Sequence, residues 1–600
     1  MILRRLLFVA AVPLLAAWPV RPQSAHPALA YTVSFPHPEA HFLHVTMRAE
    51  GLKGELQDFK LPAWSPGYYH ILDYAKFIQH FGAEDAAGHA LPWERTTKNT
   101  WRVVAGNSPV IVLSYDVAAT SPFGVQNFVN ETRAYLSPAG VYMHPAAILG
   151  QPVTATFQLP SGWQRIASGL DPVPGRTNTF TASDYDVLYD CPTLIGNQET
   201  IEFAVSGRPH AVVLENIAPA VSRPKMLADL KLMVEAATRL IGDIPYRHYT
   251  FLMMGTGNGG IEHLNSASIS FNGKSLESPE GYLRWLSYVA HEYFHNFNVK
   301  RIRPIALGPF DYDAENLTSM LWVSEGLSVY YQDLLLVRSG LMTRDQYLEK
   351  MQGAIAKFEN AAGHHYQSAT DSSLDTWSTN NAMTGDRNAT ISYYDNGAML
   401  GAMLDLKIRT LSENRKSLDD VMRALYQRFY QQKKRGFTDA EFRHECEAAA
   451  GGDLSEVFDY AATTKDVDYT RYFALAGLTL DIKSEDAPGA WIGLDTQKRG
   501  TQLFVVSAAP GSPAESAGLR PGDEITSVVG NVQAIATVLA AGKPGDTLKL
   551  KISRGGAAQE VEVALAKNFK RSYRFQLRAD ASTLQADILK SWLRNESGRP

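Results

Sequence analysis

The sequence predicts a multidomain α+β protein, and three observations support this prediction. The chain has 600 residues and a mass of 66.1 kDa, which exceeds what one hydrophobic core usually organises, so we expect about three domains. The spacing of its apolar residues changes from period two to helical spacing at Ser222. The spacing changes again near Lys483, where short β-like runs begin.

The composition excludes several classes of protein. The chain is 45% hydrophobic and 20% charged, which is typical of a globular protein and not of a disordered chain or one that spans a membrane many times. The net charge is -5, too nearly balanced for an electrostatic surface that binds nucleic acid, so we expect no nucleic-acid partner. Cys191 and Cys446 form no C-x-x-C pair, and the sequence leaves open whether they form a disulfide.

The N-terminal residues are typical of a secretory signal peptide. Arg4 and Arg5 precede a short apolar run over Leu6–Trp18, and cleavage after Ala25, or as late as residue 30, would follow a small residue. The apolar run is too short to cross a bilayer core of about 30 Å. We therefore expect a signal peptide over residues 1–25, a secreted or periplasmic location, and no integral membrane span in the mature chain.

Residues 31–215 are predicted to form an N-terminal antiparallel β-sandwich. Apolar and polar residues alternate along Leu43–Ala49 and along Val153–Leu159, which is the pattern of half-buried strands. Turn clusters at Trp64–Gly67 and Pro172–Gly175 separate such runs. We see no catalytic group of residues in this segment.

Residues 216–480 are predicted to form a mostly helical domain. Ser222 and Pro224 are typical of a helix start, and an apolar face follows them as far as Gly242. A second cap at Ser278 predicts a helix over about 280–298, and apolar spacing predicts further helices over about 317–338 and through Leu400–Leu411.

The second of these helices contains an H-E-x-x-H motif. His291 and His295 lie one turn apart on the same face, where two imidazoles bind one zinc ion and Glu292 takes a proton from zinc-bound water. Zinc needs a third protein ligand, for which we select Glu325, because its carboxylate lies in the apolar run Leu321–Tyr331 and must be paired or bind a metal. We expect one Zn²⁺ ion; the alternative is solvated histidines and a surface glutamate.

Two further motifs carry candidate site residues. Tyr394 precedes a predicted helix, and its hydroxyl is placed to donate to a developing oxyanion; Tyr393 is the rival, and a core tyrosine is the alternative. Upstream, Glu262 follows the flexible residues Gly259 and Gly260. A carboxylate at this position would pair with the amino group of a peptide, although a structural turn explains the motif equally well.

The C-terminal part is predicted to contain a small β domain over residues 483–567 and a helical tail over 568–600. Runs such as Leu503–Val506 and Leu548–Ile552 have the composition of strands. Leu584, Ile588 and Trp592 recur at helical spacing, and we expect them to pack against a neighbouring domain.

These motifs together resemble the glycyl aminopeptidase family of gluzincin metallopeptidases, which combine a β-rich N-terminal domain, a thermolysin-like catalytic domain and a PDZ domain. The motifs that carry the resemblance are His291–Pro304, Leu321–Gly326, Gly259–His263 and Asp184–Cys191 with the proline that follows. The resemblance implies specific roles, namely zinc ligands His291, His295 and Glu325, general base Glu292, transition-state tyrosine Tyr394 and amino-terminus anchor Glu262. It also implies a preference for glycine or alanine.

The PDZ resemblance rests on the segment that follows Trp491. Ile492, Gly493 and Leu494 match the carboxylate-binding loop, whose backbone amides capture a peptide C-terminus by strand addition. A packing module that binds no peptide is an equal alternative.

The predicted function is that of a zinc aminopeptidase that removes N-terminal residues from peptides with a free amino terminus. Two alternatives stay open: a zinc endopeptidase in which Glu262 is structural, and a peptide-binding protein with an inactive peptidase domain. Lys300, Arg301 and Arg303 would either hold a substrate carboxylate or form a solvated basic face, and we favour the solvated face.

Overall fold

The computed structural model describes residues 28–122, 124–378, 388–528 and 535–597. The predicted signal peptide over residues 1–25 lies outside these ranges. Within them, every helix is too short or too polar to cross a membrane.

The N-terminal region is built from strands in three sheets. Its elements are β1 (Ala28–Ser34), β2 (Phe42–Glu50), β3 (Leu56–Lys60), β4 (Ile78–Glu84), β5 (Trp93–Thr97), β6 (Thr100–Val104), β7 (Val110–Ala118), β8 (Phe128–Val129), β9 (Ala134–Leu136), β10 (His144–Pro145), β11 (Val153–Gln158), β12 (Arg165–Ser168), β13 (Asp171–Pro172), β14 (Thr179–Ala182), helix α1 (Tyr185–Tyr189) and β15 (Thr193–Gly196). The largest sheet has seven strands in the order β13-β14-β11-β1-β2-β7-β4.

The alternating pattern faces one core, as the sequence predicts. Leu43 and Val45 of β2 are fully buried, and they share a core with Phe59 of β3 and Val103 of β6 from a smaller sheet. The pairing differs from a purely antiparallel sandwich, because β1 and β11 are parallel neighbours. A parallel pair needs a long connection, and here β2 to β10 lie between the two strands in the chain.

The central region has a five-stranded sheet in the order β16-β17-β18-β20-β19, covered by helices. Its elements are β16 (Glu199–Val205), β17 (Arg208–Glu215), α2 (Arg223–Ile241), β18 (Tyr249–Met254), β19 (Gly259–Glu262), β20 (Ser266–Ser270), α3 (Pro279–Phe294), a π-helix (Trp322–Gly326), α4 (Leu327–Arg338), α5 (Arg344–Glu359), a 3-10 turn (Ala362–His365), α6 (Ala369–Leu374), α7 (Tyr393–Leu411), α8 (Leu418–Leu425), a second π-helix (Tyr426–Lys433), α9 (Asp439–Ala450), α10 (Ser455–Ala462) and α11 (Tyr469–Ala474).

The central sheet indicates a different boundary between the first two domains from the one predicted from the sequence. Strands β16 and β17 fall within the segment 31–215, but β17 pairs in parallel with β18 of the central region. The apolar alternation of these strands is the same in either domain, so it does not show which sheet they join. We therefore propose a boundary near residue 198 in place of 215.

Two predicted helices differ from the structure at their ends. Helix α3 ends at Phe294 and not near 298, because the Asn296 side chain donates to the carbonyl of Tyr293 at 2.5 Å and the chain turns there. The helical segment predicted from 317 begins later, because the Thr318 hydroxyl accepts from the Met320 amide at 3.2 Å.

The C-terminal region contains a five-stranded sheet, β22 to β26 in order, and a separate two-stranded ribbon of β21 and β27. Its elements are β21 (Leu478–Trp491), β22 (Leu494–Arg499), β23 (Gln502–Ala508), α12 (Pro513–Ser516), β24 (Glu524–Val528), α13 (Ile535–Ala541), β25 (Thr547–Arg554), β26 (Ala557–Ala564), β27 (Ala566–Leu577) and α14 (Thr583–Trp592). The predicted helical tail over 568–600 is therefore wrong in its first part, which is a strand.

Helix α14 packs on the central region through its last residue. Trp592 is fully buried, and its indole Nε1 donates to the hydroxyl of Tyr330 in α4 at 2.8 Å. We expect Trp592→Ala to lower the free energy of unfolding of the central region by about 3 to 5 kcal/mol, measured by urea denaturation. Trp491→Ala is the control, because this side chain is 40% exposed; equal effects of the two substitutions would contradict the prediction.

The two cysteines are separate. Cys191 and Cys446 are both buried and both free, which answers the question that the sequence left open. Burial raises the pKa of each thiol well above its ordinary value, so both are protonated and unreactive at neutral pH.

Candidate active site

Helix α3 brings His291 and His295 to one point. The helix begins because the Ser278 hydroxyl accepts from the Gly281 amide at 3.0 Å, with Pro279 in the first position. His291 lies in its last turn and His295 is its C-cap residue. Their Nε2 atoms are 2.9 Å apart.

The orientation of His295 is fixed by its other ring nitrogen. Nδ1 lies 2.7 Å from the carbonyl oxygen of Asn298, and since a carbonyl only accepts, Nδ1 donates and Nε2 is the nitrogen that binds a metal when the imidazole is neutral. Metal-binding histidines commonly make this hydrogen bond to a backbone carbonyl. The turn that ends α3 at Phe294 places the Asn298 carbonyl there, so the early helix end serves the site.

Glu325 completes a group of three donors. Its Oε2 lies 3.1 Å from Nε2 of His295 and 3.5 Å from Nε2 of His291, and the carboxylate is 2% exposed. One donor atom from each residue lies within 4.8 Å of the others. The residues selected from the sequence as metal ligands therefore do come together.

The donor set of this group favours a metal cation. Burial lowers the pKa of His295, but the Glu325 carboxylate outweighs burial and raises it to about 10, so a metal that binds here must displace the proton of Nε2. Burial and the neighbouring His295 lower the pKa of His291. Two imidazoles and one carboxylate converge here and are buried. This is the His₂Glu donor set of zinc sites, so the residues present fit a zinc ion.

Glu325 lies in a π-helix and not in a regular α-helix. The π-helix Trp322–Gly326 precedes α4 directly, and π segments often occur at functional sites. A Cβ on Gly326 would lie 2.4 Å from the Cα of Gly397 in α7. Only a glycine pair lets the π-helix and α7 approach this closely.

Glu292 lies on α3 beside strand β19. It is 4% exposed, and a Cβ on Gly260 would lie 2.2 Å from its Oε1. Burial raises the pKa of Glu292 to about 8. Gly260, expected only to be flexible, therefore also makes room for the carboxylate, while Gly259 has a φ of 119°.

The sequence analysis placed Tyr394 before a helix, but in the structure Tyr394 lies in the first turn of α7. Ser392 is the N-cap residue, and its hydroxyl accepts from the Asp395 amide at 3.4 Å. The ring of Tyr394 lies 6.1 Å from that of His291. Its rival Tyr393 stacks on it at 4.8 Å and shares a hydrogen bond of 3.0 Å with the Thr376 hydroxyl.

Glu262, the last residue of β19, is buried beside a cation. It is 4% exposed, and its Oε1 lies 3.7 Å from Nζ of Lys300 and has no hydrogen-bond partner. Lys300 is closer to Asp190, at 2.8 Å. Burial lowers the pKa of Lys300, but Asp190 and Glu262 outweigh it and raise it. The interpretation of Lys300 and Arg301 as part of a solvated basic face is therefore wrong, since both side chains are buried.

The N-terminal region contributes residues that the sequence analysis missed. The Tyr69 hydroxyl lies 3.5 Å from Oε1 of Glu325, and a Cβ on Gly67 would lie 2.8 Å from Oε2 of Glu262. The cluster Trp64–Gly67 carried only a turn signal, because a tertiary contact between regions so far apart in sequence leaves no periodic pattern.

The loop expected to bind a carboxylate lies at the start of β22. Ile492 is buried and its carbonyl accepts from the Ala514 amide at 2.9 Å, while the carbonyl of Gly493 accepts from the Ala509 amide at 2.7 Å. Leu494 is the first residue of β22, which pairs only with β23 in the described part of the chain. Its outer edge is available for strand addition, and its role in binding stays a prediction.

Comparisons with known proteins agree with this arrangement. Family models described as the Peptidase M61 N-terminal domain, the M61 glycyl aminopeptidase and the PDZ domain match residues 30–197, 284–400 and 490–565. The crystal structure of an aminopeptidase N family protein from Idiomarina loihiensis is 27% identical, with a TM-score of 0.83 over 94% of this chain and 100% of that chain.

Two curated relatives are similar over shorter stretches. Probable CtpA-like serine proteases from Staphylococcus haemolyticus (strain JCSC1435) and from a Staphylococcus saprophyticus strain are 31% and 33% identical over 137 and 105 residues. These stretches are 22% and 16% of this chain. The chain spans only 26% and 21% of the length of these relatives.

The fold class predicted from the sequence, with a β-rich N-terminal domain, a largely helical middle domain and a C-terminal PDZ domain, is thereby confirmed. The resemblance stated from the motifs is confirmed as well. The second family model covers His291, His295, Glu325 and Tyr394, so the matched family is the one whose motifs form the buried site. With both M61 domains in order and a PDZ domain after them, the matched segments of this chain identify the M61 glycyl aminopeptidase family as the family that it resembles.

Proposed function

We propose that this protein is a zinc aminopeptidase that removes an N-terminal glycine or alanine from peptides. The observation that carries the proposal is that the buried donors His291, His295 and Glu325 converge beside Glu292. A second observation supports it, because the nearby Glu262 carboxylate keeps one oxygen without a hydrogen-bond partner. The three donors and Glu292 support hydrolysis at a metal, and the Glu262 carboxylate supports recognition of a free amino terminus.

The three donors would hold one zinc ion, which polarises a substrate carbonyl and lowers the pKa of water to about 7. Glu292 accepts the proton of the attacking water and returns it to the leaving amine. Burial raises its pKa to about 8, and the charge of a bound zinc ion would lower that pKa into the range in which the carboxylate is ionised and accepts a proton at neutral pH.

Tyr394 donates a hydrogen bond to the oxyanion that develops on the carbonyl. Burial raises the pKa of its hydroxyl well above 10, so the group keeps its proton at neutral pH and acts as a donor. Tyr393 is the weaker candidate, because its hydroxyl already has Thr376 as a partner.

Glu262 pairs with the amino group of the substrate and so sets the distance from the amino terminus to the reacting carbonyl. The carboxylate borders a cavity of about 50 Å³, which Tyr69 and Phe310 also line. The match to the M61 glycyl aminopeptidase model supports a preference for a short first side chain. We further propose a secreted or periplasmic location, and capture of a peptide C-terminus beside Ile492–Leu494.

The test compares a glycine- or alanine-initiated peptide with its N-acetylated copy. We expect the wild type to release the first residue only from the peptide with a free amine. Glu262→Gln should lower kcat/KM for that peptide by at least about tenfold, because the charge-assisted pair is lost. Glu277→Gln is the matched control, since this exposed glutamate lies outside the site.

Two results would overturn the proposal. Equal cleavage of both peptides by the wild type would favour an endopeptidase in which Glu262 is structural. Absence of both cleavage and bound metal in the purified protein would favour a peptide-binding protein with an inactive peptidase domain.

A further inference from the structure

A second group of potential metal ligands lies outside the candidate active site. His364 and His365 end the 3-10 turn that follows α5, and Asp466 lies in the loop between α10 and α11. One donor atom from each residue lies within 4.8 Å of the others. The sequence did not reveal this group, because its members are about a hundred positions apart and match no metal-binding motif.

The buried member of the group has the hydrogen bonding of a metal ligand. His364 is 7% exposed, and its Nδ1 lies 2.5 Å from the carbonyl oxygen of Ala361. Nδ1 therefore donates and Nε2 keeps its lone pair. Nε2 is buried without a hydrogen-bond partner, and an unpaired buried acceptor is unfavourable unless something binds it. His295 shows the same arrangement with Asn298 at the candidate active site.

The other two members are open to solvent, so water can complete the coordination of an ion. The rings of His364 and His365 are 3.8 Å apart, and both His365 and Asp466 are exposed. The neighbouring Lys465 directs its ammonium over the ring of Tyr460, at 5.2 Å. Glu359 lines the same cavity as His364, and its carboxylate lies 3.8 Å from the guanidinium of Arg571.

We propose that His364, His365 and Asp466 form a second divalent-cation site, with zinc as the ion it takes. Two imidazoles and one carboxylate suit zinc, whereas calcium and magnesium require oxygen ligands throughout. The site does not depend on the proposed peptidase function.

An ion at this site would connect the 3-10 turn Ala362–His365 to the loop around Asp466. The turn is continuous with Gln367, whose side-chain carbonyl accepts from the Ile391 amide at 2.9 Å just before α7 begins. The site therefore braces the segment from which α7 and Tyr394 extend, and its role is structural.

The test counts zinc ions on the full-length chain. After removal of metal by chelation, we expect titration calorimetry with zinc chloride to show two equivalents for the wild type. His365→Asn and Asp466→Asn should each keep one equivalent and weaken the other by at least about tenfold, since even partners of metal ligands contribute that much. His444→Asn, an exposed histidine of α9, should keep both equivalents.

Two further measurements identify the lost equivalent. Glu325→Gln should lose or weaken binding at the candidate active site while the site at His364 stays filled. Zinc added beyond the first equivalent should raise the melting temperature of the wild type but not of His365→Asn, because an ion that binds only the native state stabilises it. Zinc binding by the wild type that neither His365→Asn nor Asp466→Asn weakens, whether it amounts to one equivalent or two, would overturn the proposal.

Discussion

Replacing Glu292 with glutamine is expected to lower kcat by roughly 100- to 10,000-fold, which is the usual contribution of a general base. Glutamine has nearly the same shape and keeps the contact with Gly260, but it cannot accept the proton of the attacking water. Because Glu292 is not among the three converging donors, the variant should keep its full metal content. Steady-state kinetics on a glycine-initiated peptide, together with metal analysis of the same sample, measure both effects.

Glu280→Gln is the matched control for this experiment. Glu280 lies in the first turn of the same helix and is exposed, so its replacement should leave kcat unchanged within a factor of about two. If Glu292→Gln also retained wild-type activity, Glu292 would not be the base. If the variant lost its metal, the assignment of the ligands would be wrong instead.

Replacing Gly397 with alanine is expected to lower kcat by about 100-fold, although this residue touches no substrate. Its Cβ would lie 2.4 Å from the carbonyl oxygen of Trp322, and a backbone atom cannot rotate away as a side chain can. Helix α7 must move from the π-helix, so Tyr394 shifts relative to Glu325. Overpacking of this kind also costs about 1 to 3 kcal/mol of stability.

Gly353→Ala is the matched control, because Gly353 lies inside helix α5 and its Cβ would meet no atom within 4 Å. That substitution should raise stability by about 0.4 to 1 kcal/mol and leave kcat unchanged. Kinetics and urea denaturation of the two variants provide the comparison. Wild-type kcat in Gly397→Ala would show that the close approach of the two helices is not required.

Local patterns in the sequence determined much of the fold. The α2 helix has the predicted Ser222 cap, Pro224 in its first turn and Gly242 at its C-terminal end, where φ is 90°. Each of these signals depends on residues a few positions apart, so the sequence displays them directly. The same holds for His291 and His295, whose separation by one helical turn already places them on one face.

Features that depend on distant residues could not be predicted in this way. Three such features are the approach of Tyr69 to Glu325, the ion pair of Lys300 with Asp190, and the place of β16 and β17 in the central sheet. Each of them joins segments that no periodic pattern in the sequence relates. The π-helix at Glu325 could not be predicted from the sequence either, because a π-helix and an α-helix share nearly the same apolar spacing.

The sequence by itself therefore determined the three kinds of domain, the caps of the main helices and the pair of histidines, because each follows from local propensity and spacing. Only the tertiary structure decided that Tyr69 approaches the Glu325 carboxylate, that Lys300 is buried between two acids, and that the N-terminal region borders the site. Those outcomes depend on packing between distant segments, and a close approach such as that of Gly326 and Gly397 becomes evident only when both backbones are in place.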